Sequence, residues 1–275
     1  MSEKNPFKTI AAKVTKVVEE SPLIRTLRVD PEEEFKFLTG QFAEVSVPDI
    51  GEGPFTPSSS QFDDEVLEFT IMKAGFVTEH IHKIKVGDRV GLRGPFGTNY
   101  PIDDWHGKNV LIMGGGVGLA PTRSLFLSLV HQVDKYKSIT FLTGARTPGD
   151  MIFKDAIEEW KKIDKVNIIS AVDKVPEGEE WCGETCLITK LLDKIDIDPK
   201  DNPAVVCGPP IMMKFGTMDL LKYGYADKDI YLSMEKKMYC GHGQCRHCVM
   251  GKYYACKDGA VFTYDKIKNE ENIWE

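Results

Sequence analysis

Four cysteines in one short stretch near the carboxyl end constrain this chain more than any other feature. Cys240-Gly-His-Gly-Gln-Cys245-Arg-His-Cys248, then Cys256 after seven intervening residues, reads C-x4-C-x2-C-x7-C. Soft thiolates at such spacing suit zinc or an iron–sulfur centre. The C-x4-C-x2-C core with a later fourth cysteine is the plant-type [2Fe–2S] spacing. A two-iron unit is ligated from both ends, so one loop must wrap it closely, which glycines such as Gly241, Gly243 and Gly251 permit. Zinc is a competing reading, with His242 or His247 replacing a thiolate, although structural zinc favours paired C-x2-C knuckles or Cys/His sets. Free thiols are another; a disulfide framework sits badly with an odd total of 7 cysteines. Cys182 and Cys186, a C-x3-C pair, read as structural free thiols.

The 275 residues suffice for two compact domains and an appendage. Charge is 35 − 42 = −7, with no long basic stripe, which argues against nucleic acid as a partner. No apolar run approaches membrane-spanning length, and Met1-Ser-Glu-Lys-Asn-Pro has no apolar signal core. A cytoplasmic location without membrane contact is the expectation.

Residues 9–28 alternate in the manner of strands, and 41–48, 66–72 and 88–93 follow at regular spacing between Gly, Pro and Asp. That pattern predicts an antiparallel barrel or sandwich. One helix is predicted over 78–85, with Thr78 as its N-cap. Gly53-Pro-Phe-Thr-Pro-Ser-Ser-Ser60 is too rigid and polar for a buried strand, and a surface turn is its plain reading. Gly75-Phe-Val-Thr78 leads into the helix, where free N–H groups favour a diphosphate.

From Asn109 the pattern changes to strand alternating with helix. Strands are predicted at 109–114, 138–144, 166–172 and 204–208, and helices at 122–130, 153–163, 185–195 and 211–223. Such alternation gives a parallel sheet with both faces covered. Gly114-Gly-Gly-Val-Gly-Leu-Ala-Pro121 follows the first strand, where folds of this kind bind dinucleotides. Pro121 stands where the generic fingerprint has its third Gly. A second turn, Cys207-Gly-Pro-Pro210, ends another strand, so two loops are placed to converge on one ligand. A buried cysteine there is more often packing than chemistry.

In this order the motifs resemble the ferredoxin–NADP reductase superfamily over essentially the whole chain. The likeness is greatest to iron–sulfur flavoprotein subunits: the gamma subunit of cytoplasmic sulfhydrogenases, the corresponding subunit of anaerobic sulfite reductase, and the electron-transfer subunit of dihydroorotate dehydrogenase. The resemblance implies an FAD-binding β-barrel over 1–103, a Rossmann-like NAD(P)-binding α/β domain over 104–232, and a small [2Fe–2S] segment over 233–275. It implies Phe55 against the flavin ring, Thr56 near its reactive N5, and Pro57, Ser58, Ser59, Gly75, Phe76, Val77 and Thr78 around the rest of FAD. Gly116, Val117, Gly118 and Pro121 would lie at the nicotinamide nucleotide's diphosphate, with Cys207, Gly208 and Pro209 bordering the nicotinamide. Cys240, Cys245, Cys248 and Cys256 would bind the cluster. Electrons would pass between NAD(P)H and the iron–sulfur and catalytic subunits of a larger, hydrogenase-like enzyme. Two points depart from or stay open within the pattern. Gly53 replaces the usual Arg, which leaves FMN possible, and Arg146 is placed to meet a 2′-phosphate, which leaves NAD and NADP both open. A zinc-binding, nucleotide-sensing module and a freestanding reductase are the competing functions.

Overall fold

The computed structural model describes residues 5–274; the part of the amino-terminal expectation that rests on residues 1–4 lies outside the described residues. Six antiparallel strands make the first sheet: β1 (Ile10–Ser21), β2 (Ile24–Pro31), β3 (Phe42–Val47), β4 (Gly51–Phe55), β5 (Leu67–Met72) and β6 (Arg89–Phe96). Their order is β4-β3-β6-β1-β2-β5, and just past β4 Pro57 bridges to Phe69 of β5, so the sheet's two edges meet. Alternate residues face inward; Val14, Leu27, Val45, Phe69 and Leu92 fill the interior.

Two local expectations change here. Gly51–Phe55 is a strand, paired with β3 from Val47↔Gly51 to Ala43↔Phe55, not a turn. Pro54 is tolerated because β4 is an edge strand, whose outer side needs no N–H donor. The helix α1 is Phe76–Ile81, starting two residues before the predicted cap. The Thr78 hydroxyl reaches backward instead, accepting the Ala74 and Gly75 amides at 2.8 Å each.

The second sheet contains β7 (Asn109–Gly115), β8 (Ser138–Ala145), β9 (Val166–Val172), β10 (Glu184–Thr185), β11 (Ala204–Cys207) and β12 (Ile230–Ser233), these six parallel to one another. Helices α2 (Leu119–His131), α3 (Lys154–Trp160) and α4 (Pro210–Tyr223) cover it. Along β7, Val110 and Ile112 enter one core, with Phe126 of α2, while Leu111 and Met113 enter the other, with Leu220 of α4. A strand buried on both faces reads as a continuous apolar run, which is why this one was legible. The predicted helix over 185–195 is instead β10 followed by a 3-10 helix, Ile188–Lys194. Ile188, Leu191 and Leu192 are buried at helical spacing, so the apolar pattern was right and the winding is tighter.

The cysteine-rich end holds a small hairpin, β13 (Val249–Met250) with β14 (Tyr253–Tyr254), then α5 (Ala255–Asp258), β15 (Val261–Thr263) and α6 (Tyr264–Ile267). β15 pairs antiparallel with β12, from Tyr231↔Thr263 to Ser233↔Val261, and so extends the nucleotide sheet. An uncovered β12 would expose a row of unpaired backbone groups.

Candidate functional site

The two turns at the carboxyl ends of β7 and β11 meet. Their strands are neighbours, Cys207 opposite Gly114. A Cβ on Gly118 would stand 2.5 Å from the Cys207 carbonyl oxygen and 2.7 Å from the Gly208 Cα, an approach only glycine allows. Gly118 is buried, Gly116 and Val117 are half-buried, Pro121 lies in the first turn of α2, and Pro209 is exposed. The 3-10 turn Gly116–Gly118 also packs against β5, which brings it beside the barrel. Burial pushes the Cys207 thiol up to about 12 despite the neighbouring Ser233 hydroxyl, which keeps it protonated near neutral pH. Arg146 sits exposed at the end of β8, where its carbonyl accepts the Lys174 amide at 3.1 Å.

In the barrel, Phe55 and Thr56 are half-buried where β4 ends, while Pro57, Ser58 and Ser59 are buried. The Ser58 hydroxyl bonds Thr70 at 2.9 Å and Ser59 accepts the Glu68 amide at 3.1 Å, so both hydroxyls are engaged with β5. Helix α1 packs against β4, so half-buried Val77 and exposed Gly75 and Phe76 lie beside the same edge.

The cysteine loop docks on the barrel's outer surface. Cys248 and Cys256 are buried with Met238, Ala255 and Ala260 against Phe42 of β3, and Cys240 and Phe96 of β6 pack at the margin. Gly241 lies so close to Phe96 that a Cβ would stand 2.5 Å from its ring, and its φ is +79°. The four thiols gather as two pairs. The Cys248 and Cys256 sulfurs are 3.2 Å apart, while the Cys245 amide points at the Cys240 sulfur at 3.4 Å. The Gly243 amide donates to Cys256 at 3.1 Å. Backbone hydrogen bonds, that at His247 foremost, hold the Cys245 thiol below its ordinary value; burial above all pushes Cys256 up. Among the described residues, no three His, Cys, Asp or Glu side chains are grouped to hold a single metal ion. His242 turns its ring edge-on to Phe7 at 5.1 Å, and exposed His247 does the same to Tyr239 at 4.6 Å.

Two charged clusters carry no motif. In the first, burial pushes the Glu68 carboxyl up, but Arg123 and Arg28 outweigh it and the net shift is down. Arg123, on α2, reaches Glu68 at 2.7 Å and the Ser58 carbonyl at 3.1 Å, joining the nucleotide domain to the barrel loop. A single Arg early in a helix with no other Lys, Arg, Asp or Glu, Leu-Ala-Pro-Thr-Arg-Ser-Leu-Phe-Leu, was the available signal. The second cluster is Arg93, Glu52 and Glu44, under the cysteine loop. Glu44 is fully buried and neither carboxylate oxygen has a partner. Burial first, then Glu52, raises it from 4.5 to about 8, against the pull of Arg93.

Between those values the unfolded chain has released a proton that the fold retains, so this group's contribution to stability falls as pH rises. The slope approaches about 1.4 kcal/mol per pH unit. Glu44→Gln is therefore expected to gain on the parent protein by on the order of 2 kcal/mol between about pH 5 and pH 7. Thermal unfolding of both at the two pH values measures it; a constant difference would mean that Glu44 is ionised in the fold.

Comparison with known proteins agrees with this geometry. The model for the oxidoreductase FAD-binding domain matches residues 11–100, and that for the oxidoreductase NAD-binding domain matches 112–217. The model for the iron-sulfur cluster binding domain of dihydroorotate dehydrogenase B matches 235–268. The chain belongs to the ferredoxin–NADP reductase-like family of FAD- and NAD-binding oxidoreductases, as an electron-transfer subunit with an iron–sulfur segment. It is 36% identical to sulfhydrogenase 1 subunit gamma of Pyrococcus furiosus, over 97% of this chain and 94% of that one. It is 32% identical to a probable dihydroorotate dehydrogenase B (NAD(+)) electron transfer subunit of Methanocaldococcus jannaschii, over 95% and 92%. A chain of the NADH-dependent reduced ferredoxin–NADP oxidoreductase shares the fold with a TM-score of 0.76 at 24% identity, over 94% of this chain and 91% of that one. No helix among the described residues is long and apolar enough to cross a membrane.

Proposed function

We propose that this chain relays electrons between NAD(P)H and a partner protein through FAD and a [2Fe–2S] cluster, and that the partner is a cytoplasmic hydrogenase of the sulfhydrogenase kind. One observation carries the reading. The cysteine loop docks on β3 and β6, β3 is the partner strand of β4, and β4 delivers Phe55 and Thr56. Nucleotide turns, flavin edge and cysteines thus stand in series on one body.

The cysteines suit a two-iron centre. The Cys248 and Cys256 sulfurs lie 3.2 Å apart, and the Gly243 and Cys245 amides address the sulfurs of Cys256 and Cys240. When bound, the flavin converts two-electron hydride chemistry into single-electron chemistry. The protein's part is to hold distances and exclude water. Phe55 presents an apolar face, Thr56 a hydroxyl at the strand end, and the neutral Cys207 thiol with Gly208 walls the nicotinamide side. No proton donor is needed at that wall, and the Cys207 thiol, with its raised pKa, stays neutral there. The greater similarity to a sulfhydrogenase gamma chain, 36% against 32% identity, favours a hydrogenase partner over dihydroorotate dehydrogenase.

Anaerobic purification with flavin, iron and sulfide analysis tests the reading. The expected product holds FAD with about two irons and two sulfides per chain; one zinc without flavin would sink it, and FMN would correct the flavin. Hydrogenase subunits are expected to co-purify. Thr56→Val is expected to slow flavin reduction more than it weakens nucleotide binding, by stopped-flow absorbance; an unchanged rate removes the Thr56 role. NADH against NADPH, in the parent and in Arg146→Ala, decides the nucleotide.

A further inference from the structure

We propose that Arg93 is a positioning residue for the cluster: it clamps the Cys240 end of the cysteine loop to the barrel and holds a fixed positive charge beside it. This rests on the relay reading above. Arg93 is on β6 and only 6% exposed. Its fork grips Glu52 of β4 through Nη2 at 2.6 Å and Nε at 2.9 Å. The remaining donors reach the Tyr239 carbonyl at 3.1 Å, the Cys240 carbonyl at 3.3 Å and the Pro6 carbonyl at 2.8 Å. The guanidinium carbon also lies 5.4 Å from the centre of the Phe96 ring, the ring on which Gly241 is packed. One side chain therefore ties together β4, β6, the amino-terminal segment and the loop.

The electrostatics give the clamp a second task. Four thiolates make the loaded loop strongly negative, and accepting an electron adds to that charge. Arg93 is buried against the Cys240 end, where water screens charge less and fixed protein charges act more strongly. Arg93 supplies the cation, Glu52 partly cancels it, and Glu44, opposite Arg93 in the β3–β6 register, is buried without a hydrogen-bond partner. Lysine would keep the charge but lose the fork, because an ammonium is a point donor and a guanidinium a planar one. Charge and geometry can thus be separated by substitution.

The test uses the full chain purified anaerobically with its cofactors. EPR-monitored redox titration gives the cluster's midpoint potential, and iron release to a chelator gives the loop's grip. Arg93→Gln is expected to weaken the cluster's hold on an added electron about tenfold, a potential lower by about 59 mV for one electron, and to speed iron release. Arg93→Lys is expected to recover most of the potential but not the slow iron release. Glu52→Gln leaves Arg93 uncancelled and is expected to raise the potential, so the assignment stays testable where Arg93→Gln fails to load. Unchanged potentials in Arg93→Gln and Glu52→Gln, or shifts of the same sign, overturn it. Absence of any reducible centre in the parent protein would overturn the relay reading along with it.

Discussion

Replacing Cys245 by alanine is expected to erase the iron–sulfur absorbance and EPR signal while NAD(P)H still reduces the flavin. Cys245 is half-buried and outside the apolar cluster that Cys248 and Cys256 build with Phe42 and Met238. Its loss removes a thiolate without opening that contact, and the nucleotide turns and β4 lie on other elements. Electron delivery to an external one-electron acceptor that draws on the cluster should fall to background. Anaerobic spectra of the variant, before and after NAD(P)H, are the measurement. Loss of flavin reduction together with the cluster would mean that the parts are not separable.

Gly118→Ala is expected to have the largest effect at the nucleotide site. The added Cβ meets only backbone, the Cys207 carbonyl and the Gly208 Cα, so no side-chain rotation can relieve it. The β11 turn must shift, at an overpacking cost of roughly 1–3 kcal/mol. Felt at the site, that is a loss in nucleotide affinity of about 5- to 150-fold. Gly116→Ala is the comparison: its φ of +57° strains alanine, but nothing lies within 4 Å of the new Cβ, and the left-handed conformation costs only about 1–2 kcal/mol. Fluorescence titration with nucleotide should rank Gly118→Ala below Gly116→Ala with flavin and iron content retained, because only the former moves the β11 turn. The reverse ranking would mean that the two turns do not share a ligand.

Both variants act on features visible before folding, whereas the charged clusters do not. Thr78 is a useful case between. Its capping chemistry was legible, but a hydroxyl that caps by reaching back to residues 74 and 75 looks in sequence like one that caps forward, so α1 began two residues early. Helix 185–195 failed similarly, since spacing reports which face is buried and not how tightly the backbone winds. Arg123 stood out only as one charge in a helix with no other Lys, Arg, Asp or Glu, and nothing local says that Glu68, 55 residues earlier, waits for it.

Cysteine spacing and the change from alternate to helical periodicity defined the cofactor class and the two sheets, because each depends only on residues a few positions apart. Alternation along β3 sends Ala43 and Val45 inward and leaves Phe42 and Glu44 facing out, toward what a lone barrel would give to water. The cysteine loop, which also bonds Arg93 of β6 across 147 residues, turns that outer side into an interior. Burial of Glu44 and Arg93 follows from that docking, while contact of Gly118 with Cys207 and addition of β15 to β12 come from other pairings between distant segments. A local pattern records which side a residue faces; whether that side meets solvent or protein is decided only when distant segments dock.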